Sequence, residues 1–262
     1  MNHKLIVMIM FVSLCHAGLN RPVDGQELHY IHVLFEWDQL PSAVSYNLQV
    51  SNTQSFSNVM LDINETTTAY VEKETISWDN TYYCRVRPIY SDSSYGVWSE
   101  VSYFITGTSL FQNFNATTIN DEFVEEGLII FGNMGLKAGV IDLNGNEVWN
   151  MEDIFFNSVN EYGQLFGGFL APPYIARLFN FEQDTIWHTP IGGGLNNHEF
   201  AKIPNGNYMT FINTYQLGPI PLGYWTQTFQ NVGYVADGVT NEFLWRGHRI
   251  VEFDKDTKEQ VW

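Results

Sequence analysis

One pattern recurs in the second half of the chain: Ala138–Trp149 (AGVIDLNGNEVW), Ile175–Trp187 (IARLFNFEQDTIW) and His248–Trp262 (HRIVEFDKDTKEQVW). Each copy reads as an apolar strand, a polar turn and a short strand closing on a tryptophan. A hairpin of this kind cannot bury its apolar face alone. Its repetition every few tens of residues therefore calls for stacked sheets, as in a solenoid or a propeller of four-stranded blades. Trp225 falls between the second and third copies, but its flanks (GYWTQTF) lack the hairpin pattern. Tyr215–Trp245 reads instead as a long insertion within the third unit.

Between the second and third copies lies NHEFAKIPNGNYMTF, Asn197–Phe211, behind the glycine run Gly192–Gly194. Pro204 disfavours a helix, and Asn205-Gly206 predicts a tight primed hairpin turn with positive φ at both central residues. The inner two strands of a blade are then His198–Ile203 and Asn207–Phe211. The innermost strand of a propeller lines its channel, which places His198 at the channel mouth, where a site is expected.

Residues 26–106 have a different texture: SYNLQVSN and TYYCRVRPI alternate with period 2, putting Tyr46, Leu48 and Val50, then Tyr82, Cys84 and Val86, inward. Short alternating strands separated by turns predict an antiparallel sandwich. With Trp37 as core tryptophan, Tyr82 as corner tyrosine and Trp98-Ser99-Glu100 opening the last strand, this segment resembles a fibronectin type III module. The resemblance implies a spacer or a surface for an extracellular protein or glycan partner. His29 and His32 stand at its start as surface or strand residues, and Cys84 reads as a buried core thiol with no local base to activate it. Residues 107–122 read as a linker and 123–262 as a partial β-propeller of about three blades.

GGGLNNHEFAKIPNGNYMTFIN, followed by RIVEFDKDTKEQVW, resembles the arylsulfate sulfotransferase family, over about Phe123–Trp262. That resemblance implies transfer of a sulfuryl group from a phenolic sulfate ester to a phenol, with no cofactor and no nucleotide donor. It places His198 in the catalytic site, binding sulfate or acting as nucleophile. Asn197 stands where the family often has a second histidine, as a substrate-binding candidate. Such chemistry needs cationic donors on the sulfate and on the leaving phenolate, and an imidazole titrating near neutrality. Arg246 and His248 form a second basic cluster before an apolar strand: a substrate-binding pair, or solvated loop charges. The aromatic insertion either flanks an aryl acceptor or packs onto neighbouring strands. The alternative to an enzyme is a non-catalytic extracellular binding or adhesion protein.

The rest bounds these readings. The chain has 262 residues with 12 basic and 29 acidic, net −17, which argues against a nucleic-acid partner. Asp142 in DLNGNE lacks the full calcium-loop ligand set and reads as a turn, and no zinc spacing or dinucleotide motif occurs, so no metal is expected. Residues 1–17 (MNHKLIVMIMFVSLCHA) have the form of a signal peptide, with an apolar run too short to span a bilayer. A secreted, periplasmic or cell-surface protein follows, with lipidation of Cys15 as an alternative, and no later transmembrane segment. Sequons at Asn64 and Asn115 carry meaning only in a eukaryotic secretory route. Three blades do not close a ring, which leads to the expectation that the chain is a truncated piece of a longer protein.

Overall fold

The chain is an all-β protein. A computed structural model describes residues 17–111, 122, 125–133, 136–169, 175–190 and 195–262, but not the side chains of Asn133 and of residues 195–198. The leader up to His16 with Cys15, most of the 107–122 segment with Asn115, and Gly192–Gly194 lie outside the described residues. Two compact units divide the chain, Met1–Ser109 and Leu110–Trp262.

The first unit contains β1 (Leu19–Arg21), β2 (Gln26–Leu28), β3 (Val33–Trp37), β4 (Ala43–Ser51), β5 (Val59–Glu65), β6 (Ala69–Glu72), β7 (Thr81–Tyr90) and β8 (Ser102–Thr106). They build two sheets, ordered β1-β3-β6 and β2-β8-β7-β4-β5. Alternation sends Phe35 and Trp37 from one sheet against Phe104 and Tyr46 from the other, with ring centroids 5.9 and 5.8 Å apart. The inward residues expected from the alternation, Tyr46, Leu48, Val50, Tyr82, Cys84 and Val86, are all buried there. The Tyr82 hydroxyl accepts from the Ser77 amide at 2.8 Å and so ties the corner before β7. The sandwich begins earlier than the expected boundary at Gln26, because Leu19 pairs with Trp37 in the ladder. Ala17, expected as the last leader residue, is fully buried in this core.

The second unit contains β9 (Ile129–Asn133), β10 (Lys137–Ile141), β11 (Glu147–Glu152), β12 (Phe155–Val159), β13 (Leu165–Gly168), β14 (Ala176–Phe179), β15 (Thr185–His188), β16 (Leu195–Lys202), β17 (Tyr208–Pro219), a short helix α1 (Thr226–Asn231) and β18 (Asn241–Phe253). These form three antiparallel sheets: β11-β10-β9, β12-β13-β14-β15 and β16-β17-β18. The described residues form no closed ring of sheets.

The hairpin turns share one mechanism. In Asp142–Asn146, Asn160–Gln164, Asn180–Asp184 and Ile203–Asn207 the first residue's N–H donates to the last carbonyl, and the fourth N–H to the first carbonyl. The fourth position, Gly145, Gly163, Gln183 or Gly206, has positive φ. This is a type I turn closed by a glycine-type bulge. The primed turn expected at Asn205-Gly206 is therefore corrected: Gly206 alone is left-handed, because Pro204 fixes a negative φ at the first central position. Asp142 is a turn residue as expected: its Oδ1 accepts from the amides of Asn144 and Asn146, each at 2.8 Å.

Two of the three repeat tryptophans join consecutive sheets. Trp149 Nε1 donates to the Phe181 carbonyl at 2.6 Å, and Trp187 Nε1 to the Lys255 carbonyl at 2.8 Å. Between the second and third sheets, Phe166, Leu178 and Trp187 pack on Phe200, Tyr208 and Val251. The Tyr215–Trp245 insertion is not a loop. It prolongs β17 and β18 into a two-stranded ribbon, paired from Tyr208↔Phe253 to Pro219↔Asn241. Its tip carries α1 and an edge-to-face cluster of Phe229, Tyr234, Phe243 and Trp245.

Candidate functional site

Arg246 and His248 are strand residues within β18, not loop charges ahead of a strand. Residues directly opposite in an antiparallel ladder share a face. Ladder pairs Leu217↔Leu244, Tyr215↔Arg246, Asn213↔His248, Phe211↔Ile250 and Met209↔Glu252 therefore line the face turned away from the β12–β15 sheet. Alternation places Arg246 and His248 about 7 Å apart along the strand. The Arg246 guanidinium is held by Asn213, whose Oδ1 accepts from Nε at 3.2 Å and Nη2 at 2.9 Å. No hydrogen bond is made by Nη1 among the described residues. The His248 ring meets Phe211 edge-on, centroids 6.3 Å apart. A hollow of about 190 Å³ opens beside Phe211 and Ile250, walled also by Glu199, Phe200, Met209 and Thr210.

His198 and Asn197 lie in β16, and their side chains are outside the described residues. The backbone carries information all the same. Asn196 pairs with Phe211 and Phe200 with Thr210, so Asn197, His198 and Glu199 bulge from β16 with no residue opposite. The Thr210 hydroxyl donates to the Glu199 carbonyl at 2.6 Å across this bulge. Bulges re-aim side chains beside sites. This one lies across the sheet from β18, about 10 Å away by the strand spacing.

Sequence reasoning missed three features. Asn213, which orients Arg246, carries no sequence signal, since its role depends on ladder register. His188 is tied at both nitrogens: Nδ1 donates to the Thr189 carbonyl at 2.8 Å, and Nε2 accepts from Lys258 Nζ at 3.0 Å. Arg177 is buried between the rings of Phe169 and Phe179, 4.6 and 4.7 Å from their centroids. It donates to Thr185 Oγ1 and Met151 Sδ, each at 3.3 Å, with no carboxylate partner among the described residues. Burial lowers its pKa to about 10.

On the first unit, Arg85 lies over the rings of Phe56 and Trp98, and Arg87 over Tyr95 and Trp98. Trp98 is thus clasped by two guanidiniums at 4.2 and 4.1 Å. Gln49 accepts from Arg85 and Asn47 from Arg87, and both amides donate to Asp62. This cover buries Asn47 and Gln49 on a face that alternation alone assigns to solvent. Among the described residues, no helix is long and apolar enough to cross a membrane. No group of three His, Cys, Asp or Glu converges there as metal ligands.

No family model matches the chain. No curated protein matches it either. Among solved structures it is similar to an Fn3-like protein from Clostridium thermocellum: 18% identity, 37% of this chain, 97% of that one, TM-score 0.29. It is also similar to fibronectin(III)-like modules of Clostridium thermocellum CbhA, with 11% identity, 66% of this chain, 90% of that one and TM-score 0.29.

Proposed function

We propose that the second unit belongs to a propeller of the arylsulfate sulfotransferase kind. It moves a sulfuryl group from a phenolic sulfate ester to a phenol. The observation that carries this reading is the sharing of one uncovered face by Arg246, His248, Phe211 and Tyr215, beside the bulge that holds His198. The guanidinium supplies a cationic donor and the imidazole an N–H donor to the sulfate oxygens, and the aromatic rings flank an aryl group. With His198 as nucleophile, its nitrogen bonds to sulfur while the sulfur–oxygen bond to the donor breaks and the phenolate leaves. An acceptor phenolate then takes the sulfuryl group and frees the imidazole. As a sulfate binder, His198 instead stabilises a direct displacement, with Asn197 beside it as a further donor.

We further propose that the first unit is a fibronectin type III module, and that the chain acts outside the cytoplasm, as a secreted, periplasmic or surface protein. Its strand order, with three strands facing five, and the tied Tyr82 corner support this reading. The test is release of nitrophenolate from 4-nitrophenyl sulfate with phenol as acceptor, on protein whose fold is checked by circular dichroism. Turnover lost in His198→Ala, and a raised KM in Arg246→Ala, are the expected results. A folded protein that releases no nitrophenolate above background sinks the enzyme reading.

The second reading is a non-catalytic binder of a protein or glycan, and the Arg85–Trp98–Arg87 stack favours it. Retention on an immobilised acidic glycan, abolished in Trp98→Ala, is its expected signature.

A further inference from the structure

A hollow of about 460 Å³ opens between the turn that joins β12 to β13 and the turn that joins β16 to β17. Its walls come from two consecutive sheets of the second unit. Register sets Ser158 opposite Phe166 on one wall and Lys202 opposite Tyr208 on the other. Phe166 is the apolar base: it is buried, and its ring meets Phe200 edge-on, centroids 5.5 Å apart. The Tyr162 ring, 79% exposed, stands at the rim.

The polar groups around this base have unused capacity. Asn160 closes the first turn: its Oδ1 accepts from the amides of Tyr162 and Gln164 at 3.0 and 2.9 Å, and its Nδ2 donates to Gln164 Oε1 at 2.9 Å. Gln164 Nε2 is left as a donor. Among the described residues Ser158 Oγ, the Glu161 carboxylate and Lys202 Nζ make no hydrogen bond or ion pair. Lys202 only donates, Glu161 only accepts, and Ser158 does both. The two charges cancel. An anion in the hollow would leave Glu161 opposed, and a cation would leave Lys202 opposed. A neutral polyol satisfies both, because each hydroxyl donates and accepts. An exposed aromatic ring beside such groups is a platform for the C–H face of a pyranose.

We propose that this hollow binds a neutral sugar residue of a glycan, with Tyr162 against the pyranose face and Glu161, Lys202 and Gln164 on its hydroxyls. The His198 bulge lies four residues back along β16, up to about 13 Å away at the strand rise, so the two sites are separate. Sugar binding depends neither on sulfuryl transfer nor on the Arg85–Trp98–Arg87 stack of the first unit.

The test is saturation-transfer NMR on the full chain. The probes are the methyl glycosides of glucose, galactose and mannose, with that of glucuronic acid as the charged comparison. Transfer to the ring C–H protons of at least one neutral probe is expected. Tyr162→Ala abolishes it, while the fold holds, because the turn uses only the backbone amide of this residue; circular dichroism checks this. Glu161→Gln and Lys202→Met each weaken binding about tenfold, by removing a hydrogen bond to a charged group. Absence of transfer to all three neutral probes overturns the proposal, and so does transfer that survives Tyr162→Ala. Tighter binding of the glucuronic acid glycoside than of the glucose one overturns the neutral class of ligand.

Discussion

The indole of Trp187 lies flat on the ring of Tyr208, centroids 3.9 Å apart and planes 16° from parallel, while its Nε1 reaches the Lys255 carbonyl at 2.8 Å. One side chain therefore makes both the apolar and the polar contact between consecutive sheets. Trp187→Phe keeps a stacking ring and loses the hydrogen bond, at an expected cost of about 1–2 kcal/mol. Trp187→Ala loses both, at about 3–5 kcal/mol. Urea unfolding followed by fluorescence of the remaining tryptophans measures the two; equal costs for both variants sink this division of labour.

The Arg85–Trp98–Arg87 stack is the outer cover of the five-stranded sheet. Trp98→Ala removes two cation–π contacts and opens Asn47 and Gln49 to water. The expected cost is about 1–3 kcal/mol. Trp98→Phe is expected to recover part of it. A thermal shift within error of wild type for Trp98→Ala means the stack does not support the sheet.

Tyr82→Phe leaves the Ser77 amide without its acceptor at the corner before β7. A loss of about 1–2 kcal/mol is expected, with the fold of the first unit unchanged. Amide exchange at Ser77 reads the effect directly: protection falls in the variant and holds at neighbouring strand amides.

Burial pushes the Cys84 thiol up to about 12, against a weaker opposing bond to the Ser102 carbonyl. The thiolate is therefore absent at neutral pH, and only the thiolate attacks disulfide reagents. Folded protein is expected not to react with a chromogenic disulfide at pH 8, whereas unfolded protein reacts at once. Rapid labelling of native protein would refute the burial of this thiol.

Burial opposes the charge on Glu72, but its carboxylate accepts from the amides of Glu74 and Thr75, each at 2.7 Å, and from the Tyr70 hydroxyl at 3.1 Å. These bonds hold its pKa below the ordinary glutamate value. The stability it contributes is present above that ordinary value, about 4.3. It is lost as pH falls through the lower folded value. Glu72→Gln is expected to be less stable than wild type at pH 7, with a smaller loss of stability on acidification to pH 3. Parallel acid titration curves for the two proteins count against this account.

Local patterns were legible where one face decided the outcome. Period-2 alternation marked the inward residues of β4 and β7, and the repeated tryptophan marked the outer hairpins. What depends on register was not. Arg246 and His248 sit on the open face only because β17 and β18 stay paired along all twelve residues of β17, beyond the core, and Asn213 matters only because it lies opposite His248. The turn at Pro204 followed proline's fixed φ over the Asn-Gly preference. Asn47 and Gln49 read as solvent-facing, since nothing local reports that Arg87 and Arg85, opposite them on β7, join Trp98 in covering them.

The atoms that receive Trp149 and Trp187 belong to the main chain, and the residues carrying them, Phe181 and Lys255, have nothing in common as side chains. The hydrogen bond itself therefore asks for no particular receiving side chain, only for the shape of the loop, while the edge-on contact of the Phe181 ring with Trp149 is an addition special to the first junction. Exchange of Phe181 for another residue should accordingly weaken that junction without abolishing it.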